Sequence, residues 1–277
     1  MSYKRLSKTA IFLILTSLAV LFLMPIFIIV INSFKSKFSI ADAPFTLPDS
    51  TSFSGVENYV SGITQTDFPM AFFWSLFITV FSVAAIIIFT SMTAWYIVRA
   101  KSLLSSIIYY SLVFSMIVPF QMVMFTMSKV ANILRLDNPV GIIFIYLGFG
   151  AGLSTFMFSG FVKSVPKTVE EAATIDGCNT LQTYFLVVFP ILKPTTVTVA
   201  ILNTMWIWND YLLPYLVIGN DYKTIPVAVQ YLKGGYGSVD MGALMAMLVL
   251  SIIPVVIFYL LSQKYIIKGV AAGAVKG

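Results

Sequence analysis

Acidic side chains and very small residues lie close together in one polar stretch of an otherwise apolar chain. They are Glu170, Glu171, Ala172, Ala173, Asp176 and Gly177. The spacing Thr168-x-x-Glu171 is that of a capping box, in which each side chain accepts a hydrogen bond from the other residue's backbone N–H group. The helix dipole also favours carboxylates in the first turn. The pattern predicts a capped helix whose alanines let another molecule approach closely.

Gly177 predicts the end of this helix, because glycine adopts a left-handed backbone at little cost. We expect Thr180 to cap a second helix that runs to Phe189, with Pro190 and Pro194 on either side of the start of the next apolar segment. A helix–glycine–helix of this kind suits a surface that another protein pushes. The alternative is a well-capped surface loop without a partner, and the local pattern does not separate the two.

A second group of residues combines aromatic rings with amides and one carboxylate, which is the chemistry that binds sugars. The group is Asn203, Trp206, Trp208, Asn209 and Asp210. Counted from Pro194, Asp210 lies roughly 24 Å along a helix. An acidic residue inside a membrane usually faces a cavity or a partner. The alternative is an aromatic belt at the membrane surface, with Asp210 already near water.

The elements that carry both groups are predicted to be membrane helices. Hydrophobic residues make up 59% of the chain and charged residues 10%. About 20 consecutive apolar residues cross a bilayer as a helix, and its backbone must satisfy its own hydrogen bonds. We therefore predict an all-α polytopic membrane protein with a single transmembrane domain over residues 1–277. Its six spans are expected at approximately 9–34, 70–98, 103–128, 139–162, 194–218 and 241–263, and the polar loop that carries the first group of residues is expected at 164–193.

Further features of the apolar segments refine this prediction. The first segment is too long for the apolar part of a secretory signal and no cleavage site follows it, so we expect a retained span. Pro119 is expected to kink the third span. The methionines of that span suit gap filling between helices, with a path for soft metal ions as the alternative. The largest segment outside the membrane is predicted at 35–68, with one short helix around 56–61, and a further outer loop is predicted at 219–240, with a flexible tip.

Lysine and arginine set the predicted orientation, since these residues concentrate in cytoplasmic segments. With the N-terminus inside, eleven of them are cytoplasmic: Lys4, Arg5, Lys8, Arg99, Lys101, Lys163, Lys167, Lys193, Lys264, Lys268 and Lys276. Six lie outside: Lys35, Lys37, Lys129, Arg135, Lys223 and Lys233. Both termini are then cytoplasmic. Topology accounts for the net charge of +6, and we expect no nucleic-acid partner.

The chemistry missing from the sequence excludes several classes of function. The chain has no histidine and one cysteine, Cys178. Metal sites of the Cys/His type and hydrolytic Ser/His/Asp sites are therefore excluded. No phosphate-binding G-x-x-x-x-G-K-[ST] loop is present. We expect no enzyme activity and no cofactor or metal in this chain.

The polar stretch resembles the EAA loop of bacterial ABC importer permeases, in the motifs Glu171-Ala172-Ala173, Asp176-Gly177 and Pro190-x-x-x-Pro194. Other motifs are similar to those of the maltose-type carbohydrate permeases, specifically to the shorter, six-span partner of the permease pair, and the likeness covers nearly the whole chain. They are Met24-Pro25, Asn32-Ser33-Phe34-Lys35, Leu47-Pro48, Glu57-Asn58-Tyr59, the run from Trp206 to Pro214, and the closing residues GAVKG. Two departures are Cys178, where alanine is usual, and Trp74-Ser75, where Asn-Ser is common.

The resemblance implies a type I ABC importer permease fold in a bacterial plasma membrane. It implies a heterodimer with a second permease, two cytoplasmic ATPase subunits that bind ATP and Mg²⁺, and an external solute-binding protein that delivers a sugar, expected to be a di- or oligosaccharide. The EAA residues, with Glu170, would couple to the ATPase. Tyr231, Gly234, Gly235 and Tyr236 are predicted to dock the binding protein, with a plain solvated turn as the alternative. An ion-coupled carrier or channel is the alternative function.

Overall fold

The computed structural model describes the backbone of residues 2–232 and 240–274 and the side chains of residues 8–232 and 240–265. Within these ranges it is helical, and the only β pairing is an isolated bridge between Lys35 and Phe53. The predicted all-α class is confirmed. The helices are α1 Ser2–Asn32, α2 Lys37–Asp42, α3 Glu57–Thr66, α4 Phe68–Ala100, α5 Leu103–Ser115, α6 Phe120–Ile133, α7 Gly141–Val162, α8 Lys167–Ile175, α9 Thr180–Gln182, a π-helix Thr183–Val188, α10 Phe189–Ile191, α11 Lys193–Asn209, α12 Leu212–Val217, α13 Ile225–Tyr231 and α14 Met241–Ala274.

The chain divides into two compact units. One comprises Met1–Pro69 and Ala228–Val256, and the other Met70–Val227 and Ile257–Gly277. The predicted single domain stays a prediction. In the first unit, hydrogen bonds fix the segment after α1. The buried Nζ of Lys35 donates to the carbonyl of Ala43 at 2.7 Å. The amide of Asn58 donates to the carbonyls of Ser33 and Lys35 at 2.8 and 2.9 Å.

The core of the second unit is built on α4 and α7. Its buried side chains include Ile86 of α4, Tyr146 and Phe158 of α7, and Val199 of α11. Gly150 of α7 allows a close approach, because a Cβ atom there would lie 2.6 Å from Cδ1 of Ile86. The side chain of Ile86 on α4 therefore packs directly against the backbone of α7 at Gly150.

Among the residues that the structure describes, four helices are long and apolar enough to cross a membrane: Lys8–Asn32, Phe68–Ala100, Gly141–Val162 and Met241–Tyr265. Two bent pairs qualify if each pair forms one span. The first pair, α5 and α6, bends by 108°, and the second, Thr180–Ile191 with Lys193–Asn209, bends by 77°. The described helices are compatible with the six predicted spans, and the exact count stays a prediction.

The structure differs from the sequence prediction at the third span. A kink at Pro119 was expected, whereas α5 ends at Ser115 and α6 begins at Phe120. Pro119 is the N-cap of α6 and has an extended backbone, with φ −62° and ψ 136°. Because proline has no backbone N–H group, it cannot continue the hydrogen bonds of α5, and the helix stops before it.

The polar segments contain more helix than expected. The short helix predicted around 56–61 is the longer α3, and α2 precedes it. The segment 219–240, predicted as an outer loop with a flexible tip, contains α13, in which Val227 is fully buried. The apolar residues of α13 drive its burial, and the turn residues Gly234, Gly235 and Gly237 that suggested a loop come later in the chain.

Candidate functional site

Helix α8 carries the predicted EAA residues, but its N-terminus differs from the prediction. The helix begins at Lys167 with Pro166 as N-cap, and no side chain caps it. The capping box expected between Thr168 and Glu171 is therefore absent. The box does not form because the helix starts earlier than predicted. Pro166 takes the extended N-cap conformation, with ψ 137°, so Thr168 lies inside the helix.

The end of α8 is formed as predicted at Gly177, whose φ is +87°. The N–H of Cys178 donates to the carbonyl of Ala173 at 2.9 Å, and the N–H of Gly177 donates to that of Thr174 at 3.1 Å. These two bonds form a Schellman motif, which satisfies the last carbonyls of a helix. No atom lies within 4 Å of a Cβ built at Gly177. The glycine is therefore required by its backbone angle and not by crowding.

The second helix begins at Thr180, but Asn179 caps it, where Thr180 was predicted to do so. The side chain of Asn179 accepts from the N–H of Gln182, and the side chain of Gln182 accepts from the N–H of Asn179, both at 2.9 Å. The cap therefore lies one residue earlier than expected, and it is a complete capping box. After Gln182 the backbone widens into the π-helix Thr183–Val188, and such widening is frequent at functional sites.

An ion pair beneath α8 was not found from the sequence. Nη2 and Nε of Arg99, at the end of α4, donate to Oε1 of Glu170 at 2.6 and 2.9 Å. Nη2 also donates to the carbonyl of Val165 at 2.9 Å. The exposed fractions of the two charged side chains are 17% and 13%. Glu170 therefore points into the protein, and its charge is used to hold α8 on α4.

The remaining EAA residues divide between two faces of α8. Ala173 is buried, whereas Glu171, Ala172, Asp176 and Gly177 are exposed. The apolar side chain of Ile175 is exposed to 85%. The free face of α8 thus presents carboxylates, small side chains and one projecting apolar group, which suits a protein partner.

A cavity of about 480 Å³ lies beside the hairpin of α8 and α9. Side chains from α4, α8 and the turn between the helices line it, including those of Trp95, Lys167, Glu171 and Cys178. Because Glu171 contributes to both the cavity and the exposed face, a partner that binds α8 has access to this recess as well.

The second candidate group is largely used for structure. Helix α11 ends at Asn209, and Asp210 has an extended backbone. Oδ1 of Asp210 accepts from the N–H of Leu212 at 3.0 Å, at the start of α12. The hydroxyl of Tyr146 donates to Oδ2 at 3.1 Å. The predicted continuous helix over 194–218 is therefore interrupted, because Asp210 caps the helix that follows.

The other members of this group are distributed around α11. The ring of Trp206 contacts that of Tyr146 edge-on, with centroids 5.4 Å apart, and Trp206 remains 41% exposed. The ring of Trp208 lies 5.9 Å from Phe72 on α4. The amide of Asn209 donates to the carbonyl one turn earlier. The buried Asn203 donates to Ser154 of α7 at 3.2 Å. The structure thus brings Trp206 and Asp210 together at Tyr146, while Asn203 lies elsewhere.

The predicted docking residues are only partly described. Tyr231 is the last residue of α13, and its side chain is 44% exposed. Gly234, Gly235 and Tyr236 lie outside the described residues. Their role stays a prediction.

Comparison with known proteins decides the family. The family described as binding-protein-dependent transport system inner membrane component matches residues 88–272, which include α8 and Gly177. The chain belongs to this family. As such an inner membrane component, it is a multi-pass membrane protein of an ABC transporter, and the family consists of transport permeases and not of enzymes.

Several relatives of this transport component cover nearly its full length. It is 40% identical over 94% of its residues, and 93% of the relative, to a probable starch degradation products transport system permease protein from Thermoanaerobacterium thermosulfurigenes. It is 35% identical over 96% of both chains to a multiple sugar-binding transport system permease protein from Streptococcus mutans. It is 33% identical over 91% of both chains to a melibiose/raffinose/stachyose import permease protein from Bacillus subtilis.

A solved structure supports the ABC importer fold of this transport component. A chain of a bacterial ABC transporter involved in the import of the acidic polysaccharide alginate superimposes with a TM-score of 0.79. The two chains are 25% identical, and the match covers 96% of this chain and 98% of the other.

Proposed function

We propose that this chain is the membrane permease subunit of an ATP-driven importer of carbohydrates, and that its substrate is a di- or oligosaccharide. Family membership and the sugars named for three relatives support this proposal. They favour it over an ion-coupled carrier or channel. The proposal that α8 couples the permease to the ATPase rests on one observation. One face of α8, up to Gly177, is exposed and is not covered by any other described part of the chain.

The proposed machine has four kinds of component. A second permease forms the translocation pathway together with this chain, and an external solute-binding protein delivers the sugar. Two ATPase subunits bind ATP and Mg²⁺, so this chain itself holds no cofactor. The complex lies in a bacterial inner membrane with both termini of this chain in the cytoplasm. ATP binding then shifts the population between inward-facing and outward-facing states.

The residues of α8 have two proposed roles. Glu171, Ala172, Asp176 and Gly177 form the face that the ATPase contacts, since they are exposed. Glu170 and Ala173 act from the other side and hold the helix on the permease. A single helix can thus both bind the ATPase and pass its movement on.

Two further proposals concern the outer half of the molecule. Asn203, Trp206, Trp208, Asn209 and Asp210 are proposed to lie along the sugar pathway, and the partly exposed ring of Trp206 is the surface best suited to stack on a sugar. The segment with Tyr231, Gly234, Gly235 and Tyr236 is proposed to dock the binding protein.

The test is Glu171→Ala in the complete transporter reconstituted into vesicles. The probe is chosen from maltotriose, raffinose and stachyose as the sugar that most raises the melting temperature of the cognate binding protein. Loss of a charge-assisted contact across the ATPase interface is expected to reduce ATP-dependent uptake roughly tenfold, which corresponds to about 1.4 kcal/mol. Lys163→Ala, an exposed site outside α8, is the matched control and should transport normally. Wild-type uptake by Glu171→Ala would refute the assignment of this face.

A further inference from the structure

Three side chains of α4 form a stripe toward the hairpin of α8 and α9. Ser91, Trp95 and Arg99 are spaced four residues apart, which places them on one face of the helix. Each of them contacts the hairpin or the π-helix that follows it. The hairpin is therefore attached to α4 along about two helical turns and not at a single point.

The first attachment is the pair of Arg99 and Glu170. Two nitrogens of the Arg99 guanidinium group donate to one carboxylate oxygen of Glu170. The same guanidinium group donates to the carbonyl of Val165, just before α8. Charge-assisted hydrogen bonds of this kind are stronger than neutral ones. Since both side chains are largely shielded from water, the pair is also less screened than a surface ion pair.

The second attachment lies one to two turns before Arg99 in α4. The hydroxyl of Tyr184, in the π-helix, shares a hydrogen bond with the hydroxyl of Ser91, and both side chains are fully buried. The ring of Trp95 lies 5.4 Å from that of Tyr184. A displacement of the hairpin relative to α4 would therefore disturb the packing of Tyr184 on Trp95 and break its hydrogen bond to Ser91.

Helix α4 is unbroken from these attachments to its other end. Its 33 residues contain no glycine, and its one proline, Pro69, is the second residue. By contrast, the chain bends by 77° between the hairpin segment and α11, and by 108° between α5 and α6. Sharp bends of helices arise at proline, glycine or π-bulges, and α4 contains none of these after Pro69, so it can move as one rod. From Arg99 to Phe72 it extends roughly 40 Å.

The other end of α4 contacts the segments around the proposed sugar pathway. Phe72 packs edge-on against Trp208. Trp74 packs edge-on against Tyr222, with centroids 5.1 Å apart. The hydroxyl of Ser75 accepts from the buried N–H of Ile225 at 2.8 Å. A shift of α4 along or across its axis changes all three contacts.

The geometry points to α4 as the element that carries the movement of the hairpin to the Trp208 region, with Arg99, Glu170 and Tyr184 as its positioning residues. This inference rests on the proposed function, because it requires an ATPase that moves α8. It assigns Glu170 a role opposite to that of Glu171: Glu171 receives the force and Glu170 passes it to α4.

The first experiment is a charge exchange in the reconstituted complete transporter, with ATP hydrolysis and sugar uptake measured in the same vesicles. Arg99→Glu and Glu170→Arg are each expected to raise the ATP hydrolysed per sugar imported roughly tenfold, a typical size for coupling between sites. The double exchange restores the pair and should return the ratio to within roughly threefold of wild type. Lys101→Glu, an exposed site beside α4 with the same change in charge, should leave the ratio unchanged.

A milder substitution covers the case in which a charge reversal prevents assembly. Tyr184→Phe keeps the ring packed on Trp95 and removes only the hydroxyl group that bonds Ser91. It should raise the same ratio severalfold. Ser91→Ala in the Tyr184→Phe background should add nothing to the ratio, because the bond between the two hydroxyls is already lost and the other bonds of Ser91 lie within α4. Unchanged ratios in Tyr184→Phe and in both charge reversals would overturn the inference, as would additive effects of the two hydroxyl deletions.

A second readout follows the far end of α4. Cys178→Ser removes the only cysteine, so Met70→Cys, at a side chain 49% exposed, can be labelled alone with a maleimide. Its labelling rate should differ between the ATP-free and vanadate-trapped transporter, and Arg99→Glu should abolish that difference. A difference that persists in Arg99→Glu would refute the role of α4. If wild type itself shows no ATP-dependent uptake, the proposed function fails, which is a separate result.

Discussion

The backbone of Gly177 offers a quantitative test of how the coupling hairpin is built. Its φ of +87° lies in the left-handed region, which costs other residues about 1–2 kcal/mol. The open space around it removes any steric contribution. Gly177→Ala should therefore destabilise the Schellman motif by that conformational cost alone, which is a factor of roughly 5–30 in the population of the closed motif.

Hydrogen exchange followed by mass spectrometry measures this factor directly. The N–H groups of Gly177 and Cys178 are the two donors of the motif, so their exchange in Gly177→Ala should accelerate by the same factor. Asparagine tolerates the left-handed conformation and β-branched residues do not. The acceleration should therefore increase in the order Gly177→Asn, Gly177→Ala, Gly177→Val.

The matched control is Gly160→Ala. Gly160, in α7, also has nothing within 4 Å of its added Cβ atom, but its φ is not positive. The same chemical change there should leave exchange at Gly177 and Cys178 unchanged. Equal exchange for all three Gly177 variants and wild type would refute the argument from backbone strain, and so would an equal effect of Gly160→Ala.

Two further predictions concern the core of the second unit. Gly150→Ala should lower the stability of the purified protein by about 1–3 kcal/mol, because its methyl group would overpack against Ile86. In thermal unfolding, Ile86→Val in the same protein should recover part of this loss, since it removes the clashing methyl group. Full stability of Gly150→Ala alone would contradict the close contact. Asp210→Ala should lose the cap of α12 and the bond from Tyr146 and so cost about 1–2 kcal/mol, whereas Asp210→Asn, which keeps an acceptor oxygen, should cost clearly less in the same assay. Equal losses in both variants would argue against capping.

Local patterns in the sequence predicted the class of fold and much of the candidate site. Runs of apolar residues predicted membrane helices, since the bilayer permits few other structures. Gly177 was identified correctly as the end of α8, because its conformational preference acts locally. The motifs around Glu171 and Asp176 were sufficient to suggest the family that the comparisons then established.

Details of the helix ends were less well predicted, again for local reasons. Several residues near a helix start can serve as its cap, and small differences in backbone angle choose among them. At α8 the choice fell on Pro166 and not on Thr168, and at α9 on Asn179 and not on Thr180. The effect of Pro119 was also underestimated, because the sequence does not reveal whether neighbouring helices support a bent helix or let it break.

The tertiary structure alone decided which side chains are available for function. By itself, the sequence determined that this chain crosses a membrane, and that a polar helix ending at Gly177 lies between two apolar segments. It did not distinguish Glu170 from Glu171, since adjacent carboxylates have the same chemistry. Folding brings Arg99 from 71 positions away to Glu170 and leaves Glu171 exposed. The physical reason is that pairing depends on distances in space, which are set by the packing of α4 beneath α8 and not by spacing along the chain.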